Sequence, residues 1–184
     1  MPVQTPICDF GQKALPFELK STENKIISLD DIKGKNGTLI MFICNHCPYV
    51  KVVTKEIIED CNELKKIGVN TVAICSNDYV NYPDDSFENM IKFSNINQFS
   101  FPYLHDETQE VAKIYDAVCT PDFFGYNKDL ELQYRGRLRE LKNFIPVKEG
   151  ESDLLKAMKQ IAETENGPQD QIPSAGCGIK WKYD

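Results

Sequence analysis

Cys44-Asn45-His46-Cys47 joins an apolar run, Thr38 to Ile43, to an amphipathic stretch that opens at Pro48. Two thiols with two residues between them can close a small disulfide ring, and at a helix start they form a redox pair. Unpaired N–H groups and the positive end of a helix dipole would there stabilise a thiolate, the species that attacks disulfides. The placement predicts that Cys44, ahead of the helix, is the more exposed and attacks first, with Cys47 resolving the mixed disulfide. His46, when protonated, adds positive charge between them. One pKa unit of thiolate stabilisation is worth about 1.4 kcal/mol, or roughly 30 mV in a two-electron couple. The competing reading of these residues is a structural zinc site completed by His46 or another cysteine. Adjacent His46 and Cys47 fit one tetrahedral centre poorly and the chain has no second C-x-x-C, so no metal ligand is assigned. Sulfur itself carries the electrons, and no cofactor is expected.

The flanking pattern supplies the frame for these thiols. Phe17–Lys20 and Lys25–Leu29 flank Ser21-Thr22-Glu23-Asn24 and predict a small hairpin ahead of the main fold. Leu39 to Ile43 is uniformly apolar, as a central strand covered on both faces must be. After Pro48, tolerated in a first helical turn, Val50, Val53, Ile57, Cys61 and Leu64 fall at steps of three and four and mark one buried helix face ended by Gly68. Val69 to Cys75 reads as a second buried strand, so strand, helix and strand form a right-handed parallel crossover in an α/β fold. Asp84, Asp85 and Ser86 can cap a helix carrying Phe87, Met90 and Ile91, and another helix is predicted from about Glu107 to Ala117. Pro121–Tyr126 and Leu130–Arg135 form a second hairpin, in which alternation of Leu130, Leu132 and Tyr134 with polar residues predicts one wet face. A last helix spans Ser152 to Glu163, followed by a Gly/Pro-containing tail over 164–184.

With 184 residues the chain is expected to be a single domain, residues 1–36 forming an N-terminal hairpin extension. Hydrophobic residues make up 41% of it and the net charge is -7, which leaves no electrostatic footprint for nucleic acid or an anionic membrane. Met1 to Phe10 shows no charged leader before an apolar stretch, and about 18 consecutive apolar residues occur nowhere. A soluble, cytoplasmic protein is expected. Seven cysteines, an odd number spread through predicted strands and helices, do not suit a secreted disulfide scaffold.

The order strand, C-x-x-C, helix, strand, then a long excursion to Thr120-Pro121 before a hairpin and a terminal helix resembles the thioredoxin fold, a central mixed sheet flanked by helices. Three segments carry a narrower resemblance: Phe42 to Val50, Phe101 to Ala112, and Pro173 to Lys182 with Cys177. They are similar to a bacterial branch of thioredoxin-like proteins grouped with the AhpC/TSA (peroxiredoxin-like) family. The resemblance implies that Pro121 is a cis-proline facing the dithiol, and that its turn offers backbone groups to an extended substrate segment. This chain departs from thioredoxins proper, which carry a Trp before the first cysteine and a buried acid in the preceding strand; Ile43 takes the first place and no carboxylate occurs in Thr38 to Ile43. Proton transfer then falls to His46 or water. The peroxiredoxin pattern P-x-x-x-[ST]-x-x-C, laid on Cys47, puts Cys44 where the hydroxyl belongs and Ile40 where the proline belongs. An arginine among Arg135, Arg137 and Arg139 would still be free to approach a thiolate.

Cys177, between Gly176 and Gly178 in the tail, has the freedom to meet the dithiol as a third redox cysteine; the alternative is a terminus packed by Ile179 and Trp181 with an incidental thiol. Cys61 and Cys75 read as buried apolar residues. Cys8 and Cys119 are open, Cys119 favouring packing, and His105 beside Asp106 reads as a surface or capping residue. Tyr134-Arg135-Gly136-Arg137 reads as a turn with solvated charges. The expectation is thus a thiol-disulfide oxidoreductase working through Cys44 and Cys47 with His46, Thr120 and Pro121 around them, acting on a protein or small-molecule disulfide. The alternatives are a peroxiredoxin-like thiol peroxidase taking peroxide, an antioxidant role, and a metal-stabilised interaction domain. Nucleic acid and membrane are not expected partners.

Overall fold

The computed structural model describes residues 1–183. The strands are β1 (Val3–Gln4), β2 (Glu18–Ser21), β3 (Ile26–Ser28), β4 (Gly37–Phe42), β5 (Val69–Cys75), β6 (Tyr103–His105), β7 (Cys119–Thr120), β8 (Asp122–Tyr126), β9 (Leu132–Tyr134), β10 (Leu141–Lys142), β11 (Ile145–Pro146) and β12 (Ala175–Gly178). The helices are α1 (Leu29–Ile32), α2 (Pro48–Lys51), α3 (Thr54–Lys66), α4 (Phe87–Ile96), α5 (Glu110–Ile114) and α6 (Asp153–Thr164).

Seven strands make a mixed sheet in the order β3-β2-β6-β5-β4-β8-β9. β4 lies parallel to β5 and antiparallel to β8, so the strand ending at the C-x-x-C is central. Every residue of β4 is buried, as its unbroken apolar run requires. One face packs Leu39, Met41 and Ile43 against Ile57 and Leu64 of α3 and Met158 and Ile161 of α6. The other packs Ile40, Phe42, Val72, Ile74 and Phe124 against α1, α5 and Tyr115. Each such buried side chain contributes about 1.5–3 kcal/mol relative to exposure, so the end of β4 is anchored from both sides.

Several expectations are corrected. The first hairpin continues the main sheet: β2 pairs with β6, and β3 forms the edge strand. The helix after Pro48 is broken into α2 and α3, because the Thr54 hydroxyl donates to the Val50 carbonyl (2.8 Å) and competes with the backbone ladder. Gly68 does close α3, with φ of +79° that suits glycine. Ser86 caps α4, whereas Asp85 sits in a preceding 3-10 turn and points into the core. α5 starts at Glu110 rather than Glu107, since the Asp106 carboxylate accepts from Val111 N and Ala112 N and sets the first turn there. The strand expected to have a wet face is buried throughout, Gln133 included. Gln133 bonds Gly167 N and accepts Gln171 Nε2 from the tail that covers it. Among the described residues no helix is long and apolar enough to cross a membrane.

The tail departs most from a loop. β12 is the middle strand of a second, three-stranded sheet, β1-β12-β7, that sits against the end of β4.

Candidate active site

β4 ends at Phe42, and Ile43-Cys44-Asn45-His46 cross to Cys47, which caps α2. The loop is held by a network that begins at Asp85, a fully buried carboxylate on the turn before α4. Asp85 Oδ1 accepts from Asn45 N (2.8 Å) and Oδ2 accepts from Asn77 Nδ2 (2.8 Å). Asn45 Oδ1 in turn accepts from the buried Tyr103 hydroxyl (2.7 Å). His46 Nδ1 lies 2.6 Å from Asp85 Oδ2, a charge contact when the imidazole is protonated, although the N–H is not aligned for a good hydrogen bond. The imidazole is parallel to the Tyr82 ring at 6.1 Å. A buried acid thus reaches the C-x-x-C loop from forty residues beyond Asn45. Asp84-Asp85-Ser86 reads in sequence only as a helix cap, so no local signal distinguished Asp85.

The sulfurs cluster against Thr120. Cys44 Sγ is 3.4 Å from Thr120 Oγ1, and Cys47 Sγ is 3.3 Å from Thr120 O. The Thr120–Pro121 peptide is cis. Cys177 Sγ, from β12, is 2.9 Å from Cys47 Sγ. The structure therefore brings Cys44, His46, Cys47, Thr120, Pro121 and Cys177 into one site. A cavity of about 230 Å³ opens beside Pro121, with Tyr49, Val53, Phe123 and Ala175 among its lining.

The expected exposure of Cys44 is not found: Cys44 is 1% exposed and Cys47 0%, with Cys177 of β12 resting on Cys47. The charge preference also falls on the second cysteine. A hydrogen bond from Cys44 holds the Cys47 thiol down at about 5, with further help from the Cys177 thiol and Thr120, against the opposing effect of burial. Cys44 is raised well above its ordinary value by that same bond to Cys47, by burial and by the Asp85 charge. Burial, then the bond and charge of Cys47, push Cys177 up to about 12. The thiolate is thus stabilised by neighbouring thiols; α2, with four residues, is too short to supply much dipole.

Cys44 Sγ, a His46 ring nitrogen and an Asp85 oxygen lie within 4.8 Å of one another, near enough to share an ion. Both Asp85 oxygens already accept hydrogen bonds, from Asn45 N and Asn77 Nδ2.

The arginines from which a peroxide pocket would recruit one are paired with carboxylates. Arg135, buried rather than solvated, forks onto Asp122 (3.3 and 2.9 Å) and lies over the Phe124 ring. Arg137 pairs with Asp153 (2.7 Å) and Arg139 with Glu56 (2.6 Å). His105 is neither surface nor cap; it lies half-buried at the end of β6, stacked on Phe87 at 5.7 Å. Cys61 and Cys75 are buried as expected, and burial pushes both up to about 12.

A central mixed sheet with paired sulfurs at the end of its middle strand, facing a Thr–cis-Pro turn, defines a thioredoxin fold. The chain belongs to the AhpC/TSA family, whose sequence profile matches residues 10–140. It is similar to an uncharacterized conserved protein from Geobacillus kaustophilus, with 42% identity, a TM-score of 0.95, and coverage of 100% of this chain and 98% of that one. It is also similar to a hypothetical protein from Sinorhizobium meliloti 1021, with 30% identity, a TM-score of 0.91 and 100% of both chains covered. The thioredoxin domain of a thiol-disulfide oxidoreductase from Bacteroides vulgatus shares the fold at 16% identity and a TM-score of 0.58, over 68% of this chain and 86% of that one. No curated protein matches the chain at a significant level.

Proposed function

We propose that this protein is a thiol-disulfide oxidoreductase whose working couple is Cys44 and Cys47, acting on a protein or small-molecule disulfide. The observation that carries the reading is that Cys44 Sγ and Cys47 Sγ both lie against Thr120 (3.4 and 3.3 Å) beside the cis Thr120–Pro121 peptide, with Cys47 held down at about 5 and Cys44 raised well above its ordinary value. Such a pair holds one nucleophile ready and one proton in reserve. Cys47 takes the attacking role and Cys44 the resolving one, the reverse of the order expected from position along the chain. When Cys44 attacks the Cys47 disulfide its proton must leave, and His46, steadied by Asp85 and Tyr82, is the nearest base in the loop. Thr120 and Pro121 position the sulfurs rather than react, Thr120 through its contacts at 3.4 and 3.3 Å.

The buried single thiols Cys61, Cys75 and Cys119 pack as apolar groups, which suits a reducing, cytoplasmic setting. Membership in the AhpC/TSA family and the low value at Cys47 favour thiol peroxidation as a second reading. It has less support, because Ile40 and Cys44 replace the proline and hydroxyl of the peroxide pocket and Arg135, Arg137 and Arg139 are each paired with a carboxylate.

Insulin reduction driven by dithiothreitol tests the main reading. Wild type should accelerate it, and Cys47→Ser should lose at least about a hundredfold, since a hydroxyl cannot form the mixed disulfide. Cys44→Ser should stall after the first exchange. Equal rates for wild type and Cys47→Ser would remove the assignment. Peroxide consumption faster than disulfide reduction would replace it with the second reading.

A further inference from the structure

Cys44 and Cys47 are both buried, Cys47 beneath Cys177 of β12, and β12 is not built as a flap. It pairs on one edge with β1, Val3 opposite Gly176, and on the other with β7, Cys177 opposite Thr120. Beyond the strand, Ser174 Oγ donates to Pro121 O (2.8 Å) and Ile179 N to Val118 O (3.1 Å). Lys180 N donates to Asn77 Oδ1 (2.9 Å), and Lys180 O accepts from Asp78 N (2.7 Å) and Gln109 Nε2 (2.8 Å). Gly176 is seated so closely that a Cβ there would lie 2.0 Å from Thr120 O. Releasing the strand would break all of these bonds together.

Of the three clustered thiols, Cys177 alone is partly exposed, and its sulfur rests on that of Cys47. An extended segment running antiparallel along β7 with its cysteine on Cys47 has the geometry of a bound disulfide partner, and here the chain supplies that partner itself.

We propose that Cys177 is the thiol that meets the external disulfide, and that the buried Cys44/Cys47 couple exchanges electrons with the outside through it. This rests on the reading of that couple as a disulfide-exchange pair. In the first step the Cys177 thiol attacks RSSR′, forming Cys177–S–S–R and releasing R′SH; the Cys47 thiolate, 2.9 Å away, relays the proton to the departing sulfur. In the second, the Cys47 thiolate attacks Cys177 Sγ, giving a Cys47–Cys177 disulfide and RS⁻. In the third, Cys44 attacks Cys47 Sγ, forming the Cys44–Cys47 disulfide and expelling the Cys177 thiolate, while the Cys44 proton passes by way of His46 to Cys177. One external disulfide is reduced, one internal dithiol is oxidised, and Cys177 ends as it began.

The test uses full-length reduced protein, oxidised glutathione as the probe, acid quenching, and mass mapping of the products, beside insulin turnover. Cys47→Ser should accumulate glutathione on Cys177, and Cys44→Ser should accumulate the Cys47–Cys177 disulfide. Cys177→Ser should slow insulin reduction by at least about tenfold, since the outer exchange step is removed. Cys177→Ala, measured with circular dichroism, separates this loss from misfolding: it should fold as wild type and be equally slow. Wild-type turnover in either Cys177 variant, with glutathione found on Cys47, would overturn the relay and leave the Cys44/Cys47 reading standing. Wild type with no disulfide reduction, and no Cys44–Cys47 disulfide, would overturn both.

Discussion

Cys47 draws its acidity from donors that are themselves thiols, which makes its charge sensitive to single atoms. Absorbance at 240 nm should show one thiolate titrating near pH 5 in wild type and vanishing in Cys47→Ser. The thiolate is present above that pH and lost below it, so single-turnover disulfide reduction should fall roughly tenfold per pH unit once below the midpoint. Asp85 acts in the opposite direction on the neighbouring sulfur. Its charge is one of the groups that raise Cys44, so Asp85→Asn should bring the Cys44 titration down. An unchanged Cys44 titration in that variant would mean that burial and Cys47 alone set it.

At the scale of elements, two polar contacts tie the helices and strands that carry the site. Ser152 caps α6 by accepting from Leu155 N (2.9 Å) and donates to Asp60 on α3 (2.5 Å). Ser152→Ala should cost about 1–2 kcal/mol from the cap, read by urea denaturation. Burial raises Asp60 to about 6, so the fold favours its neutral form. Its stabilising contribution is complete below the unfolded carboxylate range, near 3.9, and disappears as pH rises through about 6. Asp60→Asn should therefore flatten the part of the melting-temperature profile between pH 4 and 7 that declines with pH. The other tie is the buried Arg135–Asp122 fork, which holds the start of β8 next to Pro121. Arg135→Ala leaves a buried carboxylate unpaired and should destabilise by about 3–5 kcal/mol, measured by the same denaturation.

For the molecule as a whole, the decisive contact joins residues 130 positions apart, Cys47 and Cys177. It exists because both chain ends meet at the mouth of the sheet, β1 and β12 adding to β7. Gly176→Ala forces β12 off β7, since the added carbon would meet backbone rather than a movable side chain. Overpacking of this kind costs about 1–3 kcal/mol, and each kcal/mol lowers the melting temperature by about 2–4 °C in a domain of this size. Alkylation of Cys47 in that variant should be faster than in wild type, and an unaltered rate would show that β12 does not shield it.

β4, β5, α3 and α6 were legible in the chain because each declares itself over a few residues, through an unbroken apolar run or a repeat of three and four. The C-x-x-C and the Thr-Pro were legible for the same reason, their chemistry being local. β12 was not, for Ala-Gly-Cys-Gly has little intrinsic preference for a strand and becomes one only because β1 and β7 offer open edges. Asp85 read as a helix cap and Arg135 as a surface charge, since nothing beside them in sequence shows that their partners, Asn45 and Asp122, wait in the core. The amino-acid order by itself determined that two thiols stand at the end of a buried strand. Which of them carries the charge, and that a third rests on Cys47 from the far end of the chain, only the tertiary structure decided, because burial and hydrogen bonding depend on groups brought together from distant positions.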